Sequence, residues 1–128
     1  MGDSATVPVL LDCDPGHDDM FAILLAAAHP AIDLLAVTTV AGNGPLEAVT
    51  RNALAICTLA GLDGTVVAAG ADRALNGGRH TAPGIHGESA LDGAALPDPA
   101  IPLADEDAVT LMARLLEESE RPVTIAAT

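Results

Sequence analysis

The strongest constraint on this chain is an alternation. Short apolar runs, four in all, are separated by segments of helical periodicity or by loops. Val7 to Cys13 (VPVLLDC) reads as a buried strand, with Pro8 near its start where a missing N–H is tolerated. The segment from Ile32 to Ala41 contains the β-branched run LLAVTTV, Thr65 to Ala69 forms a third strand, and Val123 to Ala127 a fourth. Between the first two runs, MFAILLAAA predicts a helix that His29-Pro30 ends. After the Gly42-Asn43-Gly44 turn, Pro45 suits a first helical position. Val49, Ala53, Ile56 and Ala60 then recur on one face, with Gly61 as the C′ residue. A later helix is expected to have Asp105 as N-cap, Glu106 and Asp107 in its first turn, and Val109, Met112, Leu115 and Leu116 as its apolar face, with Pro122 stopping it. The stretch from Gly70 to about Pro102 shows little periodicity. A loop of that length in a compact domain is usually functional or disordered.

Strands alternating with helices imply an α/β fold, a parallel sheet with flanking helices and right-handed crossovers. Phe21 is the only aromatic residue, so the core must be built from Ala, Val, Leu and Ile, which suits such a sheet. The 128 residues amount to one domain or a piece of one, with no internal repeat or linker. Ligands of such sheets bind outside the carboxyl ends of the strands. Asp12 and Asp14, Asn43, His86 and Thr128 all fall at or after those ends, on one rim.

Charge removes several classes of partner. The net charge is −13, carried against five Arg and no Lys. Such a surface repels nucleic acid and anionic membrane while tolerating a metal cation and a neutral small molecule. Most of that charge is expected to serve solubility. Cys13 and Cys57 lie in apolar stretches and read as buried free thiols, with no disulfide framework or zinc spacing. No basic n-region followed by an apolar h-region opens the chain, and the longest apolar run, around Met20 to Ala28, is too short to span a bilayer. A reducing cytoplasm is the expected location.

The densest chemistry is Leu11-Asp12-Cys13-Asp14-Pro15-Gly16-His17-Asp18-Asp19. Four carboxylates this close need a compensating cation or protonation. Oxygen donors select calcium or magnesium over softer metals. Asp12 and Asp14 share a side by strand alternation, and Asp18 and Asp19 return from the helix start, so an oxygen cage is expected. One such Asp alone would be a helix cap; three beside a Pro-Gly turn favour metal. His17 reads as a solvent-facing turn residue with no role.

LLDCDPGHDDMFAILLA resembles the N-terminal signature of the inosine/uridine-preferring nucleoside hydrolase family, D-x-D-P-G-x-D-D-x-x-A, at every fixed position through Ala22. VTTVAGN, RNALAICTLAG, IHGESALDG and VTIAAT resemble later family segments in the right order, with Ala90 where Gly is common. The resemblance implies a Rossmann-like fold and hydrolysis of the N-glycosidic bond of ribonucleosides to ribose and free base, using a calcium-bound water, in nucleoside catabolism and purine and pyrimidine salvage. It implies that Asp14 and Asp19 bind calcium through side chains and Thr128 through its carbonyl. Asp14 would also take a proton from the attacking water. Asp18 and Asn43 would hold ribose hydroxyls, His86 would lie near the nucleobase, and Asp12 would support the metal site from behind. Without the resemblance, Asn43 between glycines is turn chemistry and His86 a solvated loop residue. Glu88 and Asp92 read as loop solubility or local hydrogen bonding, and Arg79 and His80 have no assigned role.

Members of the family are more than twice as long. The chain is therefore expected to be the N-terminal part of a single hydrolase domain, with little activity alone, and homo-oligomeric in full-length form. Two rivals stand beside this expectation. A magnesium-dependent phosphatase also places D-x-D after a first strand, but leaves Pro15-Gly16 and Asp18-Asp19 unexplained and would want a Lys for phosphate. A non-catalytic ribose- or nucleoside-binding fragment is the other. A dinucleotide site is disfavoured, since no G-x-G-x-x-G follows the first strand.

Overall fold

The apolar runs pair into one sheet. The computed structural model describes residues 6–128, so the start of the chain, where no leader pattern is expected, lies outside the described residues. The elements run β1 (Val7–Cys13), α1 (His17–Ala28), β2 (Ile32–Thr39), α2 (Leu46–Leu59), β3 (Val66–Ala69), α3 (Pro83–His86), α4 (Ala108–Glu118) and β4 (Thr124–Ala127). The four strands are all parallel, in the order β3-β2-β1-β4. Chain order runs outward from β1 on one side and then switches to β4 on the other. A crevice forms at such a reversal, outside the strand carboxyl ends. Here it lies between β1 and β4.

Strand alternation divides the core in two. Leu11, Cys13, Val37 and Val67 face α1 and α2, where they meet Ile23, Ala53, Ile56 and Cys57. Leu10, Ala36 and Ala68 face α4, where they meet Ala108 and Leu111. The core is aliphatic, and the single aromatic, Phe21, is exposed on α1. Both cysteines are buried and free, as their apolar settings imply. Burial pushes the Cys57 thiol up to about 12, and burial with the carboxylates of Asp19 and Asp12 pushes Cys13 up further. No helix among the described residues is long and apolar enough to cross a membrane.

Strand and helix positions agree with expectation to within a few residues, except at α3, a single turn inside the stretch expected to be loop, and at α4. The N-cap of α4 is Asp107, not Asp105. The Asp107 carboxylate accepts from the Val109 and Thr110 N–H groups at 2.9 and 3.1 Å. The packed stripe also differs. Ala108 and Leu111 are buried, with Met112 and Leu115 at the margin, whereas Val109 and Leu116 are exposed. The small side chains of Ala36 and Ala68 leave room for Leu111 against the sheet, and that contact sets the helix phase. The long loop is largely exposed but anchored at a few points. Leu103 bridges to Val67, and Leu91 and Ile101 enter the core on the α1/α2 side.

The α4 assignment has two measurable consequences. Leu111→Ala should lower unfolding stability by about 2–5 kcal/mol in urea, while Val109→Ala should change it by less than about 0.5 kcal/mol. Asp107→Ala should lower the thermal midpoint by a few degrees and Asp105→Ala should not. Hydrogen bonds from Thr110 hold the Asp107 carboxyl below the usual carboxylate range. Its stabilisation is therefore present above the ordinary Asp value of about 4 and is lost as pH falls through the lowered one. The gap between the two variants should close in strong acid.

Candidate active site

The site is assembled where β1 ends. After Cys13 the chain leaves the sheet at Asp14, turns through Pro15-Gly16 and enters α1 at His17. The Asp14 Oδ2 accepts the Asn43 main-chain N–H at 2.6 Å, and the Asn43 side-chain amide donates to the Asp14 carbonyl at 3.0 Å. The turn after β2 is thereby locked to the turn after β1. Two glycines permit this approach. A Cβ on Gly42 would stand 2.0 Å from Asp14 Oδ2, and one on Gly16 would stand 2.7 Å from the His86 ring and 2.9 Å from the Asn43 amide.

Asp19 lies in the first turn of α1 and is only 2% exposed. A buried carboxylate is costly unless hydrogen-bonded. Here Oδ2 accepts the Asp14 N–H at 3.0 Å and Oδ1 accepts the Thr128 hydroxyl at 2.6 Å. Asp19 thus bridges the ends of β1 and β4 across the switch point. Asp12 sits one layer below. Its carboxylate accepts the Thr38 hydroxyl at 2.6 Å, and its carbonyl accepts the Thr128 N–H at 3.0 Å.

The structure therefore brings Asp14, Asp19, Asn43 and Thr128 together. The expected cage of four carboxylates becomes a facing pair. Among the described residues no three His, Cys, Asp or Glu side chains converge as a metal cluster. Successive helical residues point about 100° apart, so only one of Asp18 and Asp19 can turn inward. Asp19 is the buried one and Asp18 is exposed. Burial raises the Asp14 carboxyl above its ordinary range and the Asp19 charge adds to this, opposed by the Asn43 N–H. Two carboxylates sharing one small volume form a place where a cation is favoured. The donors are all hard oxygens, which suits calcium or magnesium rather than zinc.

His17 does not behave as a solvent-facing turn residue. Its ring stacks on His86 with centroids 5.4 Å apart, and the two Nδ1 atoms are 3.2 Å apart. Its Nε2 lies 2.9 Å from the Asp92 carbonyl. Asn52 is a second residue that the sequence pattern passed over. Its amide donates to the Pro15 and Ser89 carbonyls at 3.1 and 2.9 Å, clamping the Asp14 turn to the His86 loop. The signal was present: Asn52 is a polar residue one turn from Val49 and Ile56, on the apolar face of α2. The carbonyl of Asn43 accepts from Ala82 at 3.0 Å, adding a third tie to that loop. Asp92 takes local hydrogen bonds from Ser89 and Glu88, which hold its carboxyl below the usual range. Arg79 joins Arg73 on Asp72 in an exposed ion-pair group. These residues and His80 line a cavity of about 460 Å³ beside Gly42 and Gly44.

The sequence profile of the inosine-uridine preferring nucleoside hydrolases matches residues 9–128. Over 122 residues the chain is 50% identical to the pyrimidine-specific ribonucleoside hydrolase RihA of Escherichia coli, covering 95% of this chain and 39% of that protein. The corresponding Salmonella newport protein is 48% identical over the same share. Among solved structures, the purine-preferring ribonucleoside hydrolase from Gardnerella vaginalis superposes with a TM-score of 0.87 at 29% identity, over 94% of this chain and 40% of that one. A plant nucleoside hydrolase, PpNRh1, gives 0.84 at 30% identity, over 94% of this chain and 39% of that one. The chain thus spans about two fifths of the length of the curated relatives it matches.

Gly42→Ala tests the contact on which the rim depends. The new methyl meets the Asp14 carboxylate, so a cost of about 1–3 kcal/mol is expected in urea unfolding. Gly64→Ala, with nothing within 4 Å of its Cβ, should show no such overpacking cost.

Proposed function

We propose that this chain, which belongs to the inosine-uridine preferring nucleoside hydrolase family, supplies the ribose- and metal-facing part of an enzyme that hydrolyses the N-glycosidic bond of ribonucleosides. The observation that carries this is the pairing of Asp14 with the buried Asp19 at the β1/β4 switch point, with Asn43 and Thr128 alongside. The activities of the relatives, ribonucleoside hydrolysis with pyrimidine or purine preference, support the same reaction class.

In this proposal calcium is the cofactor, held by the side chains of Asp14 and Asp19 and by the main-chain carbonyl of Thr128. When bound, it would gather the attacking water and the ribose hydroxyls and supply positive charge. Asp14 is the base. As a ligand beside the attacking water, it would be placed to take the proton that the water must lose. Asn43, fixed through both its main-chain N–H and its amide, presents its remaining side-chain capacity to a ribose hydroxyl. Asp18, exposed beside the pair, is the second ribose ligand. His86 faces the base from over Gly16. Asp12, tied to Thr38 and Thr128, holds the β1 and β4 ends in register beneath the site. Cleavage passes through an oxocarbenium-like state, whose positive charge the clustered carboxylates stabilise.

The 128 residues form the N-terminal part of one hydrolase domain in this proposal, and turnover by them alone is low. The test is to incubate the chain with inosine and with uridine, with and without excess calcium, and to assay free ribose. Calcium binding is measured by calorimetry beside it. Asp14→Ala should abolish calcium binding and any ribose release. Calcium binding unchanged in Asp14→Ala, or phosphate release from a phosphomonoester in place of ribose release, would overturn the assignment.

A further inference from the structure

We infer that His17 is a positioning residue: it fixes which ring nitrogen of His86 carries the proton, and so decides whether the nitrogen offered to a ligand accepts or donates. This rests on taking the rim around Asp14 as the nucleoside site.

The inference follows from counting protons along a chain of contacts. The Asp92 carbonyl can only accept a hydrogen bond. His17 Nε2, 2.9 Å from it, must therefore carry a hydrogen. A neutral imidazole holds one N–H, so His17 Nδ1 is bare and can only accept. His86 Nδ1, 3.2 Å away, is then the donor. His86 in turn has its own Nε2 left bare. Which nitrogen of a histidine is protonated is set by the bond the other one makes, and here the setting passes through two rings. The reverse arrangement of a neutral pair would oppose a nitrogen lone pair to a carbonyl oxygen at 2.9 Å. The arrangement inferred sets the His86 Nδ1–H against the His17 main-chain N–H, a donor–donor contact, but a weaker one because it is longer, at 3.4 Å. The short contacts outweigh the long one.

The surroundings hold the relay in place. His17 is the first residue of α1, fixed behind the Pro15-Gly16 turn. His86 ends α3, whose loop is tied to Asn43 through Ala82 and to α2 through Asn52. The His86 ring lies directly over the position where a Gly16 Cβ would be, beside the Asn43 amide. His86 Nε2 is consequently an acceptor at the rim. It would take a ribose hydroxyl, a water or a base N–H, and would not take a base carbonyl oxygen.

Imidazole ¹⁵N NMR on the ¹⁵N-labelled chain at about pH 8, where ordinary histidines are neutral, reads the tautomer of each ring directly. Wild type should show His86 protonated at Nδ1. In His17→Phe, which keeps a ring to stack but offers no acceptor, His86 should lose that form and revert to the Nε2–H form that a free side chain prefers. His17→Gln should keep the wild-type form, since its amide offers a donor for Asp92 and an acceptor for His86. Backbone amide spectra report whether each variant folds. A wild-type His86 protonated at Nε2, or an unchanged Nδ1–H form in His17→Phe, overturns the inference. Addition of uridine with calcium, followed on the Asn43 and Asp14 amides, tests the nucleoside site separately from the tautomer.

Discussion

The structure around the rim hangs on one buried carboxylate. Asp19 is almost fully removed from water, and a bare carboxylate there would cost several kcal/mol. It is accommodated because one oxygen takes the Asp14 N–H and the other takes the Thr128 hydroxyl. Those two groups come from the ends of adjacent parallel strands, β1 and β4, on either side of the point where strand order reverses. The same charge lies next to Asp14, whose carboxylate fastens the β2–α2 turn through the Asn43 N–H. One side chain therefore sets the spacing of two strand ends directly and a third turn through its neighbour. The two glycines follow from this spacing, since a methyl at Gly16 or Gly42 would occupy the space that these groups need.

Much of this was legible in the sequence because it is local. The strand runs are short, aliphatic and separated by Pro or Gly, and D-x-D-P-G-x-D-D compresses strand end, turn and helix start into eight residues. That spacing pointed to a cage of four carboxylates, and the choice of Asp14 and Asp19 among them came from the family resemblance. Less legible were contacts whose partners are far apart in the chain. His17 meets His86 and Asp92 across a separation of 69 and 75 residues, and no local pattern distinguishes it from a solvated turn histidine. The start of α4 failed for a different reason. Asp105, Glu106 and Asp107 all suit a helix N-terminus, and two overlapping apolar stripes follow them. Choosing among them requires knowing that Ala36 and Ala68 leave a gap of the right size on the opposing sheet face.

Ala90 shows how a strained backbone position is absorbed. It has a φ of +63°, a conformation that favours glycine. An alanine in the left-handed region costs about 1–2 kcal/mol. Its side chain is fully buried, and a Cβ on Gly44 would stand 2.8 Å from its methyl. Burying a methyl returns about 0.8 kcal/mol, and avoiding glycine's extra backbone entropy returns about 0.5–1 kcal/mol more. The opposing magnitudes are close to equal. The loop keeps its shape without a glycine there because the methyl fills space that a glycine would leave empty, directly behind the turn that carries Asn43.

That location matters for how the rim stays preorganised. The His86 loop touches the rest of the site at separate points: Ala82 to Asn43, Asn52 to Ser89, His17 to His86 and Asp92, and Ala90 behind Gly44. Each contact is worth little alone, about 1 kcal/mol for a typical hydrogen bond. They act at different places along residues 82–92, so releasing one leaves the others to hold the loop. A long segment with almost no periodicity is thus fixed by contacts to elements that the sheet has already positioned. For this reason the loop cannot be read from its own residues. Its conformation is written in Asn43, Asn52 and His17, all of which precede it in the chain.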